Sequence, residues 1–179
     1  MNAETFDSIK TCSKMLMIGN QKVTSNAVKH FLKAKNITPD LVLTDYDFVH
    51  KISQLIEDAT NIKRNRFVVI EVSTEEVSKN RMFVELIYNG RNYGIGIIVI
   101  LSNHFFIDPG LRGSFDYIWL FGTHYKSTQR VFYNHYANFN DTFEDFRRVF
   151  VDMAGDNSAL IIDAIATPHK ILWYQDELC

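Results

Sequence analysis

The residues best placed to do chemistry lie in Gly19-Asn-Gln-Lys-Val-Thr-Ser-Asn26, between the apolar run Met15–Ile18 and an amphipathic stretch carrying Ala27, Val28, Phe31 and Leu32. Ligands of open α/β sheets sit where a buried strand hands over to a helix, and the segment has the length of a phosphate-binding loop. Such a loop needs glycines where the backbone turns toward phosphate, a lysine at its end, and a Ser or Thr hydroxyl for Mg²⁺. Gly19 meets the first requirement. Thr24 stands where a second glycine belongs, Ser25 where the lysine belongs, and Asn26 where the metal-binding hydroxyl belongs. Lys22, inside the loop, has a four-carbon stem that could approach a phosphate from another direction. The competing reading leaves Lys22 in solvent and makes Ser25 or Asn26 the helix N-cap.

A second position is Glu71, at the end of the apolar strand Arg66–Ile70. A carboxylate there can organise a metal ion, but Val72 follows it where a second carboxylate would polarise water. Glu75 and Glu76 lie in the next turn and read as acidic residues at a helix start. Asn103, after Leu101-Ser102, gives the next strand a polar tip. Arg91 and Arg112 are candidates for stabilising phosphoryl charge on a neighbouring subunit. Arg112 follows the turn Asp108-Pro-Gly-Leu and reads as exposed near the strand ends, paired with Asp116 or serving as such a finger; we take the ion pair. The histidines, His30, His50, His104, His124, His135 and His169, have no metal-ligand spacing, so no metal site is expected. Cys12 and Cys179 read as thiols.

These residues must be carried by regular elements. Met15–Ile18, Leu41–Leu43, Phe67–Ile70, Ile95–Leu101, Tyr117–Phe121 and Ala159–Ile165 are short, nearly unbroken apolar runs, the signature of strands buried on both faces of a mainly parallel sheet. Helical periods lie between them: Phe48, Val49, Ile52, Leu55, Ile56 and Ala59; then Met82, Phe83, Leu86 and Ile87; then Phe143, Phe146, Val149, Phe150 and Met153. Asp141 with Glu144 resembles a capping box for the last of these. Ser158–Ile165 and Lys170–Gln175 read as a hairpin-like pair around Thr167-Pro168. The expectation is one α/β layer sandwich over residues 1–179, with no linker or repeat.

Composition sets the outer bounds. The chain has 179 residues, 46% of them apolar, and a formal net charge of −2. That supplies a core and excludes disorder, but it lacks the overall positive charge that binding to a phosphate backbone usually needs. Lys63-Arg64-Asn-Arg66 and Arg147-Arg148 are short basic clusters that solvated helix ends explain equally well. No apolar run approaches the roughly 18 residues of a membrane span, so no membrane association is expected.

Taken in order, several stretches resemble the later part of the genome-packaging ATPases of large double-stranded DNA viruses, in the FtsK/HerA group of P-loop motors. They are Phe67-Val-Val-Ile-Glu71, Tyr88-Asn-Gly-Arg-Asn-Tyr-Gly-Ile95, Ile98-Val-Ile-Leu-Ser-Asn103, Leu111-Arg-Gly-Ser-Phe-Asp-Tyr-Ile-Trp-Leu120 and Ile171-Leu-Trp-Tyr174. Met15–Leu32 is similar in layout. The resemblance implies a three-layer P-loop NTPase-like sandwich, ring assembly and ATP-driven DNA translocation. Against that pattern Ser25, Asn26, Val72 and Asn103 replace the lysine, the hydroxyl, the second acid and a glutamine. The expectation is therefore a pseudo-ATPase that binds no cofactor. It would act as a binding or structural component with protein partners in the virion or packaging machinery, as a homo- or hetero-oligomer in the host cytoplasm or virion. The alternatives are an unorthodox ATPase using ATP and Mg²⁺ through Lys22, Glu71 and a neighbour such as Glu75, or a DNA-binding subunit that does not hydrolyse.

Overall fold

The computed structural model describes residues 4–5, 9–10, 13–44, 51–58, 66–73, 75–102, 107–140, 142–155 and 157–175. In chain order the elements are β1 (Glu4–Thr5), β2 (Lys14–Gly19), α1 (Gln21–Ala34), β3 (Leu41–Thr44) and α2 (residues 51–58). Then come β4 (Arg66–Val72), α3 (Glu75–Lys79), α4 (Arg81–Asn89), β5 (Ile95–Ser102) and α5 (Pro109–Arg112). The chain continues through β6 (Tyr117–Phe121), α6 (Lys126–Tyr136), α7 (Phe143–Met153), β7 (Ser158–Asp163) and β8 (Lys170–Gln175).

The strands form one eight-stranded sheet in the order β1-β8-β7-β6-β2-β5-β4-β3. Strands β2 to β6 are mutually parallel, and β7 is antiparallel to both β6 and β8. The hairpin expected around Thr167-Pro168 is this β7–β8 pair, and that peptide bond is cis.

Alternating side chains of each strand enter different layers, as the two-residue strand period requires. Met15, Met17, Phe67, Val69, Trp119 and Phe121 join Ala27, Val28 and Phe31 of α1 on one face. On the other, Leu16, Ile18, Val68, Ile70 and Leu120 meet Ile52 and Leu55 of α2, Phe83 and Leu86 of α4, Phe132 of α6 and Phe146 of α7. The three-layer, mainly parallel α/β sandwich expected from the sequence is the observed fold. Among the described residues, no helix is long and apolar enough to cross a membrane.

Two expectations about elements need correction. Leu41–Leu43 is not buried on both faces. Strand β3 is at the edge of the described sheet, where Leu43 is buried against the face that α2 and α4 cover, whereas Val42, paired with Val69 on the α1 face, is 61% exposed. The helix after Asn140 is capped one residue later than expected: Thr142 Oγ1 accepts from Asp145 N at 3.1 Å. Asp141 lies outside the described residues. Glu144 pairs instead with Lys126 at 3.3 Å and Arg147 at 3.9 Å. Helix α6 had no expectation from the sequence; its buried residues Thr128, Gln129, Phe132 and Tyr136 do fall on one face.

Candidate functional site

Strands β2 and β6 are parallel neighbours, yet the helices that follow them go to opposite faces of the sheet: α1 packs against Met15 and Met17, α6 against Leu16 and Ile18. Such a parting of connections opens a crevice at the carboxyl ends of the two strands. Two adjoining clefts occupy it. One, of about 390 Å³, is lined by Asn20, Lys22, Val23, Asn26, Phe121, Gly122 and Asn157. The other, of about 250 Å³, is lined by Gly19, Asn20, Phe121, Gly122, His124 and Tyr125, with Ile18, Thr123, Thr128 and Phe132 behind them. They meet at Asn20, Phe121 and Gly122. The site residues expected from the sequence follow β2, β4 and β5. Gly122-Thr-His-Tyr125, after β6, is not among them, although a glycine closing the apolar run Tyr117–Phe121 is the same kind of signal as Gly19.

The loop expected over Gly19–Asn26 is not a loop. Strand β2 ends at Gly19, Asn20 is the only connecting residue, and α1 starts at Gln21. The N-cap is Asn20 rather than Ser25 or Asn26: its Oδ1 accepts from Lys22 N at 3.0 Å. The reason is local. After Gly19 no glycine favours a turn toward a ligand, whereas an Asn cap followed by Gln, Lys and Val starts a helix well. Lys22, Thr24, Ser25 and Asn26 therefore occupy the first two helical turns. Thr24 is fully buried, and its hydroxyl donates to Asn20 O at 3.1 Å and Gln21 O at 3.0 Å. Lys22 and Asn26 face the larger cleft. Gly19 is needed for a close approach, because a Cβ there would lie 2.5 Å from Phe121 Cβ.

Glu71 lies at the end of β4 on the same face as α1, and the Gln21 side-chain amide donates to its Oε1. This contact ties the start of α1 to β4 across the sheet. Gln21 carried no chemical signal in the sequence. Val72 is buried in the larger core, where it contributes packing. Lys22 lines the larger cleft, whereas Glu71 is held by Gln21. Asn103 and the side chain of Glu75 lie outside the described residues.

Arg112 is not paired with Asp116 and does not sit near the carboxyl ends of the strands. Helix α5 precedes β6, so Arg112 is at the amino end. There its Nε donates to Ile107 O at 2.8 Å, its Nη1 lies 2.6 Å from His135 Nδ1, and its guanidinium is 5.5 Å from the Tyr136 ring centroid. Asp116 is taken by Arg91, whose Nη2 donates to Oδ1 at 2.6 Å. The turn before β5 brings Arg91 to the start of β6, while α6 offers Arg112 an aromatic and imidazole seat. Burial and the Arg112 charge push His135 below its ordinary range, which suits a neutral ring accepting from the guanidinium.

Burial raises the Tyr136 phenol to about 12 from 10.0. A group whose neutral form is favoured on folding stabilises the fold below its unfolded pKa, and that stability is lost as pH rises through the folded value. Tyr136→Phe should therefore lessen the loss of stability between pH 10 and 12, by on the order of 2 kcal/mol in urea unfolding. An unchanged alkaline limb would contradict this.

Among the described residues, no group of three or more His, Cys, Asp and Glu could hold a metal ion. Of the basic clusters, Arg66 pairs with Asp58 at 3.6 Å, Arg147 with Glu144, and Arg148 with Asp145 at 3.3 Å. Lys63 and Arg64 lie outside the described residues.

No protein-family model matches the chain. It is 21% identical over 153 residues to protein L437 of Acanthamoeba polyphaga mimivirus, covering 82% of this chain and 54% of that protein. The chain thus spans about half the length of the curated relative it matches. Among solved structures, it is similar to the genome packaging NTPase B204 of Sulfolobus turreted icosahedral virus 2. Against B204 in complex with sulfate, the TM-score is 0.64 at 15% identity, over 95% of this chain and 99% of that one. Against B204 with AMP the TM-score is 0.62 at 15% identity, over 92% and 98%. EssC (ATPases 2 and 3) of Geobacillus thermodenitrificans gives 0.56 at 10% identity, over 94% of this chain and 41% of that one.

Proposed function

This chain has the fold of a viral genome-packaging NTPase, and we propose that it is a catalytically degenerate form of that fold, a pseudo-ATPase. In this reading it serves as a binding or structural component of viral genome packaging or virion assembly. It acts through protein partners, in a homo- or hetero-oligomer, in the host cytoplasm or in the virion. The observation that carries the reading is the start of α1 one residue after β2, which makes the would-be phosphate loop helical. A helix spends its backbone N–H groups from the second turn onward on its own carbonyls, so those of Thr24, Ser25 and Asn26 cannot wrap a triphosphate. The side chains add to this: Thr24 bonds to its own helix, Ser25 and Asn26 supply no cation, and Glu71 is engaged by Gln21.

The test is Mg-ATP binding and turnover. A nucleotide bound about 100-fold above its Kd stabilises a protein by about 2.7 kcal/mol, which for a chain of this size raises Tm by several degrees. With 1 mM Mg-ATP the expected shift is under about 1 °C, with no phosphate release. Turnover that disappears in Lys22→Ala or Glu71→Gln would instead establish the unorthodox ATPase. A mobility shift of duplex DNA that weakens steeply with salt would point to the DNA-binding subunit.

A further inference from the structure

A second polar cluster lies at the amino end of β6, remote from the crevice at its carboxyl end. The short helix α5 enters β6 there, with Ile107, Leu111 and Phe115 buried beneath it and a polar tie on either side. Toward α4, Tyr88 Oη donates to Gly110 O at 3.1 Å. Toward α6, Arg112 Nη1 lies 2.6 Å from His135 Nδ1, and the guanidinium stands 5.5 Å from the Tyr136 ring centroid. The Arg112 Nε donates back to Ile107 O at 2.8 Å, which aims the rest of the guanidinium at α6. The two ties differ in kind. One joins a phenol to a backbone carbonyl; the other holds an imidazole, the side chain whose charge changes between about pH 5 and 8. A guanidinium stays charged and has donors only, so at 2.6 Å the ring nitrogen can only accept, which requires a neutral His135 with its proton on Nε2.

We propose that the Arg112–His135 contact is an acid-sensitive latch, which holds α5 against α6 while the imidazole is neutral and lets it go when the ring gains a proton. Protonation turns Nδ1 from an acceptor into a donor and sets two cations 2.6 Å apart. The Tyr136 face is the weaker of the two contacts of Arg112 with α6, and it lies beside the same new charge, its centroid 6.3 Å from that of His135. The surroundings leave the switch to this pair. From α5, Arg112 brings its charge to the ring, while the Asp108 carboxylate accepts from Gly110 N. On α4, Glu85 is held by Tyr93 and Asn89. On α7, Glu144 pairs with Lys126 and Arg147, and Asp145 with Arg148. Burial first and the Arg112 charge second keep the ring below 6.5, so the latch is closed at neutral pH. Its contribution to stability is complete above 6.5 and is lost as pH falls toward the lower folded value. The pseudo-ATPase reading plays no part in this inference.

The experiment is an NMR titration of the full chain from about pH 8 to about pH 5. Long-range ¹H–¹⁵N correlations read the tautomer and protonation of His135, and the backbone amides of Gly110 to Gly113 read α5. The ring should carry its proton on Nε2 at neutral pH, the α5 amides should shift with the midpoint of His135, and their exchange, corrected for its intrinsic pH dependence, should rise about tenfold on the acid side. Arg112→Ala should raise the His135 midpoint. His135→Gln, whose Oε1 can accept from Arg112 without titrating, should keep α5 closed and abolish the midpoint in its amides. Tyr88→Phe, which removes the tie to α4, should leave the His135 midpoint in place. A proton on Nδ1 at neutral pH, α5 amides that do not follow His135, an α5 midpoint that persists in His135→Gln, or a His135 midpoint unmoved by Arg112→Ala would overturn the proposal.

Discussion

Gly122→Ala should lower stability by about 3 kcal/mol, or roughly 10 °C in Tm for a chain of this size. A methyl group there would lie 2.0 Å from Gly155 O and 2.6 Å from Ala154 O. Both are backbone atoms, so no rotamer change relieves the overlap, and the turn between α7 and β7 must move. Gly113→Ala is the matched control. Gly113 has φ −66° with nothing within 4 Å of an added Cβ, and the substitution should be neutral or stabilise by about 0.5 kcal/mol by restricting the unfolded chain. Urea unfolding of the two variants side by side decides the matter; equal stabilities would show that the β6–β7 crossing is looser than the geometry requires.

Asp116→Ala should cost a similar amount for an electrostatic reason. The Asp116 carboxylate accepts from Lys14 N at 2.8 Å and from Arg91 Nη2 at 2.6 Å. Lys14 is itself 8% exposed, and its Nζ donates to Ile87 O at the end of α4. Burial pulls the Lys14 ammonium below the ordinary lysine range, with Asp116 opposing that shift. Removing the carboxylate leaves a buried N–H without an acceptor and a buried cation without its counter-charge, together about 3 kcal/mol. The sign with pH follows. A lysine whose folded pKa is depressed is destabilising while charged, so the penalty in Asp116→Ala should shrink as pH rises through that value toward 10.5. Asp116→Asn, which keeps an acceptor for Lys14 N, should cost only about 1 kcal/mol. Arg91→Ala should cost well under that, since its side chain is 61% exposed. If Asp116→Ala cost no more than Arg91→Ala, the buried lysine would not depend on the carboxylate.

Much of the framework was legible because it is written locally. Met15–Ile18, Phe67–Ile70, Ile95–Leu101 and Tyr117–Phe121 are strands because unbroken apolar runs fit only a sheet covered on both faces, and Phe143, Phe146 and Phe150 share one face of α7 through the helical period. The edge position of β3 was not legible, since Leu41-Val-Leu43 reads like a central strand, and only the sheet order with the face each residue takes separates exposed Val42 from buried Leu43. The start of α1 was within reach: Asn20 is a good cap, and the expectation of a loop came from giving more weight to the length of the segment and its place after a buried strand. Asn157 was not within reach, since an Asn in a turn is unremarkable until the β6–β7 register carries it to the end of β2.

The amino-acid sequence by itself determined the layered α/β class, the positions of the main strands, and the types of residue standing where a phosphate site would need glycine, lysine and hydroxyl. Those follow from composition within a few residues, which sets burial and backbone preference directly. Only the tertiary structure decided that Asp116 meets Arg91 and Lys14 rather than Arg112, that Gln21 engages Glu71, and that Lys22 and Asn157 line one crevice. The bonded pairs join residues 25, 50 or 102 positions apart. They are fixed by which strands lie side by side and which face each helix crosses, and a local stretch of sequence carries no record of either.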